Sequence, residues 1–371
     1  MKAYIQSGKI LHKKRNIGLQ SLLDNWFNKR YSVKTVVNDD GNMMKKIVSW
    51  LFMIALVCMI LGGCIEERTV EEKTSQFDPS GNLVVIEGKG KYNFIQDAID
   101  ATSDGDTINV YNGIYRETVV LNKSINLFGE NMDKTLLINN ESIAEDSVII
   151  WVTANNCTVK GFKIEFSNSS FDTVGIKVSS SDNIISDNTI LYTSHGNDKY
   201  AIYVDRYSEN NSIIRNNISE SSYGIYITYA SHYVSRNTIV NSSYGIYLQN
   251  TYISTVSWNN ISSCLQGIRL KGATGSKIFG NMIVDNHYGM YFCCGAEGNT
   301  MFYNTFKRNI EKNAYDKLSN QWDNGTDGNY WDDYTEKYPE AKQQGDVWNT
   351  PYIISDGENQ DRFPLVHPVQ T

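Results

Sequence analysis

Asp182, Asp187 and Asp205 are the carboxylates whose spacing best suits acid–base work. Two carboxyl groups facing one glycosidic bond can protonate the leaving oxygen and activate a water or attack directly. Asp182 and Asp187 fall within one repeat of the chain and Asp205 in the next, so their convergence would make a hydrolase. Arg269 and Lys271, two residues apart, would project from the same face of a strand. Such a pair can hold a sugar carboxylate or, beside a calcium ion that acidifies a uronate, serve as the base of a lyase. Tyr203, Tyr226, Tyr247 and Tyr291 recur with Arg269 at one position of a repeat. Tyrosines in a row offer flat apolar faces with polar tips, which suits stacking on sugar rings. Asp323, Asp327, Asp332 and Asp333 surround Gly325 and Gly328 and could offer oxygen ligands to Ca²⁺. An EF-hand would want a ligand at Gly325 and Glu at Tyr334, so that motif fails. His287, Met290, Cys293 and Cys294 carry the soft donors that copper favours. Adjacent cysteines on a strand point to opposite faces, however, so a shared metal is disfavoured.

These side chains are positioned by a repeat. A small residue, an apolar one, a variable one and another apolar one recur six times. They read Gly175-Ile176-Lys177-Val178, Ala201-Ile202-Tyr203-Val204, Gly224-Ile225-Tyr226-Ile227, Gly245-Ile246-Tyr247-Leu248, Gly267-Ile268-Arg269-Leu270 and Gly289-Met290-Tyr291-Phe292. A second phase, Asn-x-Ile or its variants, begins at Asn188, Asn216, Asn237, Asn259, Asn281 and Asn304, and a third short strand precedes each. Three strands in roughly 22 residues are too few for a propeller blade, and there are no 3.6-period apolar stripes for helical repeats. The pattern predicts a right-handed parallel β-helix, with Ile176 and Val178 pointing in and Lys177 out. The recurring Asn suits left-handed turns and side-chain ladders. Tyr203, Tyr226, Tyr247, Arg269 and Tyr291 should then form one outward column, with Tyr223, Tyr244 and Tyr288 at the turn and partly inside. Strands are also expected over Thr107–Tyr111, Thr118–Leu121, Ser124–Phe128, Thr135–Ile138, Ser147–Trp151 and Cys157–Ile164. An amphipathic helix over Asn93–Ala101, with Phe94, Ile95, Ala98 and Ile99 on one side, would cover the open end.

Composition agrees. The chain has 40 Asn, which favours turns, and 24 Tyr against 13 Phe, which favours strands. The net charge of −7 is uneven: residues 1–42 carry eight Lys/Arg and three Asp/Glu, and Lys45 and Lys46 add two more positives. The chain from Cys64 therefore stands at −14, which excludes the basic footprint of a nucleic-acid binder. Lys45 and Lys46 precede a 15-residue apolar run, Ile47 to Leu61, which ends in Leu61-Gly62-Gly63-Cys64. This reads as a secretory signal. Leu-Gly-Gly-Cys resembles a lipobox, which implies cleavage before Cys64 and a lipid on its sulfur; the alternative is an uncleaved signal anchor. The expected organisation is a basic extension over 1–42 (Met43 or Met44 being the better start), a signal over 43–63, a tether over 64–80, the β-helix over 81–315 and an aromatic cap over 316–371. Trp322, Tyr330, Trp331, Tyr334 and Trp348 are expected to cover the last coil. Cys157, Cys264, Cys293 and Cys294 form no disulfide framework or zinc spacing. Sequons stand at Asn122, Asn140, Asn156, Asn168, Asn210, Asn217, Asn241, Asn260 and Asn324.

Phe94-Ile95-Gln96-Asp97-Ala98-Ile99, Gly105-Asp106-Thr107-Ile108 and Asn112-Gly113-Ile114-Tyr115-Arg116-Glu117 resemble the opening of pectin-lyase-like β-helices. The Gly-Ile-Tyr and Asn-Thr-Ile coils look like NosD-type repeats of the carbohydrate-binding and sugar-hydrolase (CASH) group. The tail is similar too, at Gly328-Asn329-Tyr330-Trp331-Asp332-Asp333-Tyr334, Thr350-Pro351-Tyr352-Ile353-Ile354 and Asp361-Arg362-Phe363-Pro364-Leu365. The resemblance covers residues 83 to 368 and implies an exported surface protein of the kind frequent in methanogenic archaea. It is specific for fold and broad for function, since the group holds lyases, glycosidases, tailspikes and copper-accessory proteins. The Gly-His-Gly and Arg-Ile-Lys segments of polygalacturonases are missing, and Gly345-Asp346-Val347-Trp348-Asn349 departs from the Asp/Gly-rich loop of the family tail. The expectation is a lipid-anchored, non-catalytic binder of extracellular polysaccharide or cell-surface glycan, with Ca²⁺ as a candidate ion. A lyase or glycoside hydrolase, and a copper-accessory protein, are the alternatives.

Overall fold

The structure, a computed structural model, describes residues 81–138, 147–166, 172–192, 198–354 and 358–369. The basic extension, the signal, Cys64, the tether, Asn140 and Asn168 lie outside them. The described chain winds as a parallel β-helix in which each coil contributes one strand to each of three long sheets. The first sheet has eleven strands, the second ten and the third nine. Coils stack in strict register. In the third sheet Ile176 pairs with Ile202, then Ile225, Ile246, Ile268 and Met290 follow, all buried. In the second sheet Ile164, Ile190, Ile218, Ile239, Ile261, Ile283 and Phe306 stack likewise. Each such side chain removed from water contributes about 1.5–3 kcal/mol, and only stacking of successive coils can bury it.

The corners are made by residues in the left-handed region. Between the first and second sheets these are Gly161, Asp187, Arg215, Arg236, Trp258, Gly280 and Tyr303, one per coil. The repeated Asn follows immediately and is not itself left-handed, contrary to the expectation from its turn propensity. It turns inward instead. Asn188, Asn216, Asn237, Asn259, Asn281, Asn304 and Asn329 form a buried ladder in which each amide nitrogen donates to the next carbonyl oxygen at 2.9–3.1 Å. The backbone N–H of each rung donates to the same oxygen, as Asn216 does to Asn237 at 2.9 Å. The ladder thereby satisfies polar groups that burial would otherwise strand.

Both ends are closed. An antiparallel pair, Val84–Ile86 with Gly90–Tyr92, leads into helix α1 (Ile95–Ala101). Ile95, Ala98 and Ile99 of α1 are buried, whereas Phe94 precedes the helix and is exposed, so it does not belong to the apolar face. The Glu117 carboxylate accepts the Ile95 and Gln96 N–H groups at 2.9 and 3.1 Å, and Lys123 Nζ donates to the carbonyls of Ile99, Asp100 and Thr102. Acid at the start and base at the end match the helix dipole. Gln96 Oε1 accepts the N–H of Val120, which blunts the edge of the third sheet's first strand. The expected strand over Cys157–Ile164 is two, Thr158–Lys160 and Lys163–Phe166, broken at the Gly161 corner. At the far end Trp322, Trp331 and Tyr334 are buried, and Trp331 stacks on Phe306 and Tyr352 at 4.4 and 4.1 Å. Tyr330 and Trp348 are only half-buried. Among the described residues no helix is long and apolar enough to cross a membrane.

Candidate functional site: an aromatic face on the third sheet

Seven of the third-sheet strands share one local shape: Ser147–Val152, Thr173–Val178, Lys199–Val204, Tyr223–Thr228, Tyr244–Gln249, Gln266–Lys271 and Tyr288–Cys293. The residue before the inward Ile or Met is small in the six repeats, at Gly175, Ala201, Gly224, Gly245, Gly267 and Gly289, because the coils approach closely there. A Cβ on Gly245 would stand 2.5 Å from the Gly267 carbonyl oxygen and 2.6 Å from Ile261 Cγ2. The glycine and the following apolar residue are both buried, so the side chains that face outward lie three apart instead of two.

That spacing produces two neighbouring outward columns. One runs Trp151, Lys177, Tyr203, Tyr226, Tyr247, Arg269, Tyr291, Tyr315. The other runs Tyr200, Tyr223, Tyr244, Gln266, Tyr288, Lys312. The predicted column of Tyr203, Tyr226, Tyr247, Arg269 and Tyr291 is therefore in register, with Tyr203, Tyr226, Arg269 and Tyr291 half-buried and Tyr247 covered by its neighbours at 7% exposure. Tyr223, Tyr244 and Tyr288 do not sit at a turn or inside; they form most of the second column. The rings touch within and between columns. Tyr200 stacks on Tyr223 at 4.7 Å and Tyr223 on Tyr244 at 5.0 Å, while Tyr203–Tyr226 and Tyr226–Tyr247 are 5.4 and 5.1 Å apart. The Tyr226 hydroxyl donates to Gln249 Oε1 at 2.8 Å. Burial within the array raises the phenol of Tyr223 to about 12, and raises those of Tyr200, Tyr203, Tyr226 and Tyr247 too, so the face presents neutral hydroxyls. Tyr200, Trp151, Lys312 and Tyr315 escaped the sequence reading, which placed Lys177 outward but, at a period of two, assigned only one outward residue per tetrapeptide. Tyrosine at spacing three, in Tyr200/Tyr203, Tyr223/Tyr226, Tyr244/Tyr247 and Tyr288/Tyr291, is the signal that could have found them.

Arg269 is built into this array. Its guanidinium lies 5.6, 5.4 and 5.1 Å from the ring centres of Tyr244, Tyr247 and Tyr291, donates to Gln266 Oε1 at 2.9 Å and reaches Cys293 Sγ at 3.5 Å. Lys271 stands beside it on the same strand, in register with Cys293.

The three candidate acid–base carboxylates are not brought to one place. Asp182 and Asp205 lie at corners between the third and first sheets, whereas Asp187 lies between the first and second. Asp182 accepts from the Asn210 amide at 2.6 Å, and Asp205 from the Ser179 hydroxyl at 2.6 Å and the Tyr207 N–H at 3.0 Å. Asp187 takes both arms of Arg215 at 2.6 and 2.8 Å, which holds its carboxyl below the usual range and ionised. The four candidate calcium ligands are also spoken for separately. Asp323 is buried and clamped by Arg362, and Asp327 accepts the Thr326 hydroxyl at 2.7 Å. Asp332 accepts the Arg308 N–H at 2.6 Å, while Asp333 pairs with Lys337 at 2.8 Å. The soft donors diverge: Met290 is in the core, Cys293 faces outward, Cys294 forms a left-handed turn and His287 precedes the strand. Among the described residues no three His, Cys, Asp or Glu side chains gather as a metal site.

Comparison with known proteins follows the coils. A family model described as "Periplasmic copper-binding protein (NosD)" matches residues 193–336. The matched stretch holds most of the Tyr columns. No curated protein matches the chain. Among solved structures, the Azotobacter vinelandii mannuronan C-5 epimerase AlgE6 A-module is similar at 13% identity and a TM-score of 0.38, over 62% of this chain and 92% of that one. The Dettilon tailspike protein (gp208) is similar at 14% identity and a TM-score of 0.35, over 68% and 64%. The catalytic domain of a GH87 alpha-1,3-glucanase is similar at 12% and 0.27, over 58% and 64%. The copper in the family's description does not fit the donors seen here, because His287, Met290, Cys293 and Cys294 share no face.

Proposed function

We propose that the chain is an exported, non-catalytic β-helix whose third-sheet face binds extracellular polysaccharide or cell-surface glycan. The observation that carries the reading is the pair of adjacent, ring-on-ring tyrosine columns. With the ring faces stacked on one another, they present a rigid strip of aromatic edges and neutral hydroxyls, and a sugar offers C–H groups and hydroxyls to match both. A row of identical subsites at one per coil, roughly 4.8 Å apart, suits a long polymer better than a small molecule. The family description as periplasmic and the signal read at Met43–Cys64 both support export. Cys64 is then the lipid attachment point, or the apolar run an uncleaved anchor, on the outer face of the membrane. The separation of Asp187 from Asp182 and Asp205 speaks for binding without turnover.

A glycan array with the mature protein tests this reading. Tyr226→Ala combined with Tyr247→Ala should lower affinity for a retained polysaccharide by roughly tenfold or more, at about 0.5–1.5 kcal/mol per ring contact. An unchanged thermal midpoint would show that the fold survives. Retention of no glycan, or full retention by the double variant, would overturn the binding face. Release of reducing ends or unsaturated uronate would overturn the non-catalytic part in favour of a hydrolase or lyase.

A further inference from the structure

The charges on the aromatic face narrow the class of polymer. None of the nine strands of the third sheet contains Asp or Glu. The strands of the first sheet contain none either and those of the second only Glu165, so acid-poor strands are general to the solenoid and the mark of this face is its cations set among tyrosines. Outward basic groups stand at three levels of this face: Lys177, then Arg269 with Lys271, then Lys312. Lys199, also in the sheet, is buried.

The outward cations lie against the rings. Lys177 Nζ is 5.1 Å from the Trp151 ring and 5.9 Å from that of Tyr203. Arg269 stands among three tyrosines, and Lys312 and Lys317 are each 5.5 Å from the Tyr315 ring. A cation over an aromatic face is held by the ring's quadrupole and still has N–H donors for an anion. Acidic groups flank the strands: Asp172 and Asp198 both act on Tyr200, the Asp198 Oδ2 lying 3.4 Å from its hydroxyl, Asp205 is held by Ser179 and Tyr207, Glu311 precedes Lys312, and Asp316, which follows Tyr315, is buried.

We infer that the ligand is a linear polyanionic polysaccharide built of uronate residues, lying along the solenoid axis with its rings on the tyrosines and its carboxylates on Lys177, Arg269 and Lys271. The inference rests on the glycan-binding reading above and adds charge to it. Six coil steps separate Lys177 from the level of Lys312, roughly 29 Å, so several sugars are engaged at once. A uronate supplies a match for both parts of the face, C–H groups for the aromatic edges and a carboxylate for Arg or Lys. A neutral glycan would cover the cations without replacing their water.

The test compares polygalacturonate with the same polymer after its carboxyl groups are reduced to alcohols, both immobilised, using the mature chain. Polygalacturonate should bind at least roughly tenfold more tightly, and the difference should shrink as NaCl rises from about 50 to about 500 mM. Arg269→Gln with Lys271→Gln should shrink the preference for polygalacturonate over the reduced polymer toward one, whatever the variant does to binding of both, because Arg269 also braces Tyr244, Tyr247 and Tyr291. Lys177→Gln, whose side chain makes no protein hydrogen bond described above, supplies the same test at a separate level. Equal binding of the two polymers overturns the charge inference and leaves the glycan face standing. Binding of neither overturns the uronate inference, and the glycan array decides separately whether the binding face stands. Equal binding of a single-stranded oligonucleotide of matching charge would also overturn the inference, by showing charge recognition without sugar recognition.

Discussion

At the scale of single residues, the small residue of the repeat decides where the tyrosines point. A period of two correctly places Ile176 and Val178 inside and Lys177 outside, but it reads each strand as regular. The close approach at Gly175, Gly224, Gly245 and Gly267 sinks two consecutive residues, and the side chain before the glycine swings outward. Two columns therefore exist where one was expected. Ala201 stands at the same position in its coil, so a methyl can be accommodated there. Ile149 fills the position in an earlier coil, but at Gly245 a branched side chain cannot be placed, since atoms already lie at 2.5 and 2.6 Å from its Cβ position. Gly245→Val should cost about 1–3 kcal/mol in urea unfolding by forcing the coils apart. It should also weaken polysaccharide binding, because Tyr244 and Tyr247 flank the site of strain. Wild-type stability in that variant would show that the close approach is not what orients the columns.

At the scale of elements, the sequence displayed the coils clearly and the corners poorly. Spacing of the Gly-Ile-x-Val and Asn-x-Ile segments sufficed for three sheets and their register, because every coil repeats the same inward residues. The Asn was half read: the side-chain ladder is as expected, but the left-handed backbone falls to Arg215, Arg236 and Trp258, so that the next Asn can enter the ladder. Propensity reports what a residue favours alone, and the ladder is a cooperative property of successive coils. Phe94 and Gly161 were misassigned for a related reason, since a local window cannot tell an apolar face from its flank or a strand from two strands around a corner. Asn237 is the rung that tests the ladder. Its Oδ1 accepts from Asn216 N and Nδ2 at 2.9 and 3.0 Å, and its Nδ2 donates to Ile213 O and Asn259 Oδ1, both at 2.9 Å. Asn237→Ala removes these four buried hydrogen bonds and deprives the Asn216 N–H of its acceptor, while Asn259 Oδ1 keeps the Asn237 N–H and Asn216 Nδ2 keeps Ile185 O, so a loss of about 2 kcal/mol or more is expected. Asn241→Ala, whose amide meets Glu220 at the exposed surface, should cost less than about 1 kcal/mol. Equal midpoints for the two variants would remove the ladder from the account of stability.

For the whole molecule, two buried ionisable groups far apart along the solenoid should set how stability follows pH. His232 takes a position in a second inward row otherwise filled by Asn211, Ser254, Ser276 and Asn299, and its Nδ1 accepts the Asn211 N–H at 3.3 Å. Burial lowers its pKa to about 4, because the charged ring would lie in the core. The unfolded chain, with His near 6.5, binds the extra proton first, so this contribution is intact above pH 6.5 and is lost as pH falls toward 4. Asp361 ties the cap to the last rung, accepting from Trp331 Nε1 at 2.9 Å, Asn329 N at 2.7 Å and Phe363 N at 3.0 Å. Burial outweighs these donors and raises its pKa to about 7. Here the folded chain holds the proton longer than the unfolded one, so stability is greatest at the acid end and is lost as pH rises from near 4 through 7. The two slopes oppose each other across the same window, and the wild type should show a nearly flat melting temperature between them. His232→Asn should unmask a melting temperature that falls as pH rises, and Asp361→Asn one that falls as pH drops. The sign of each slope, not the absolute midpoint, is the readout, since both substitutions also alter hydrogen bonds. Slopes of the same sign in the two variants would show that these groups do not govern the pH response, and that the ends and the core of the solenoid titrate through other carboxylates.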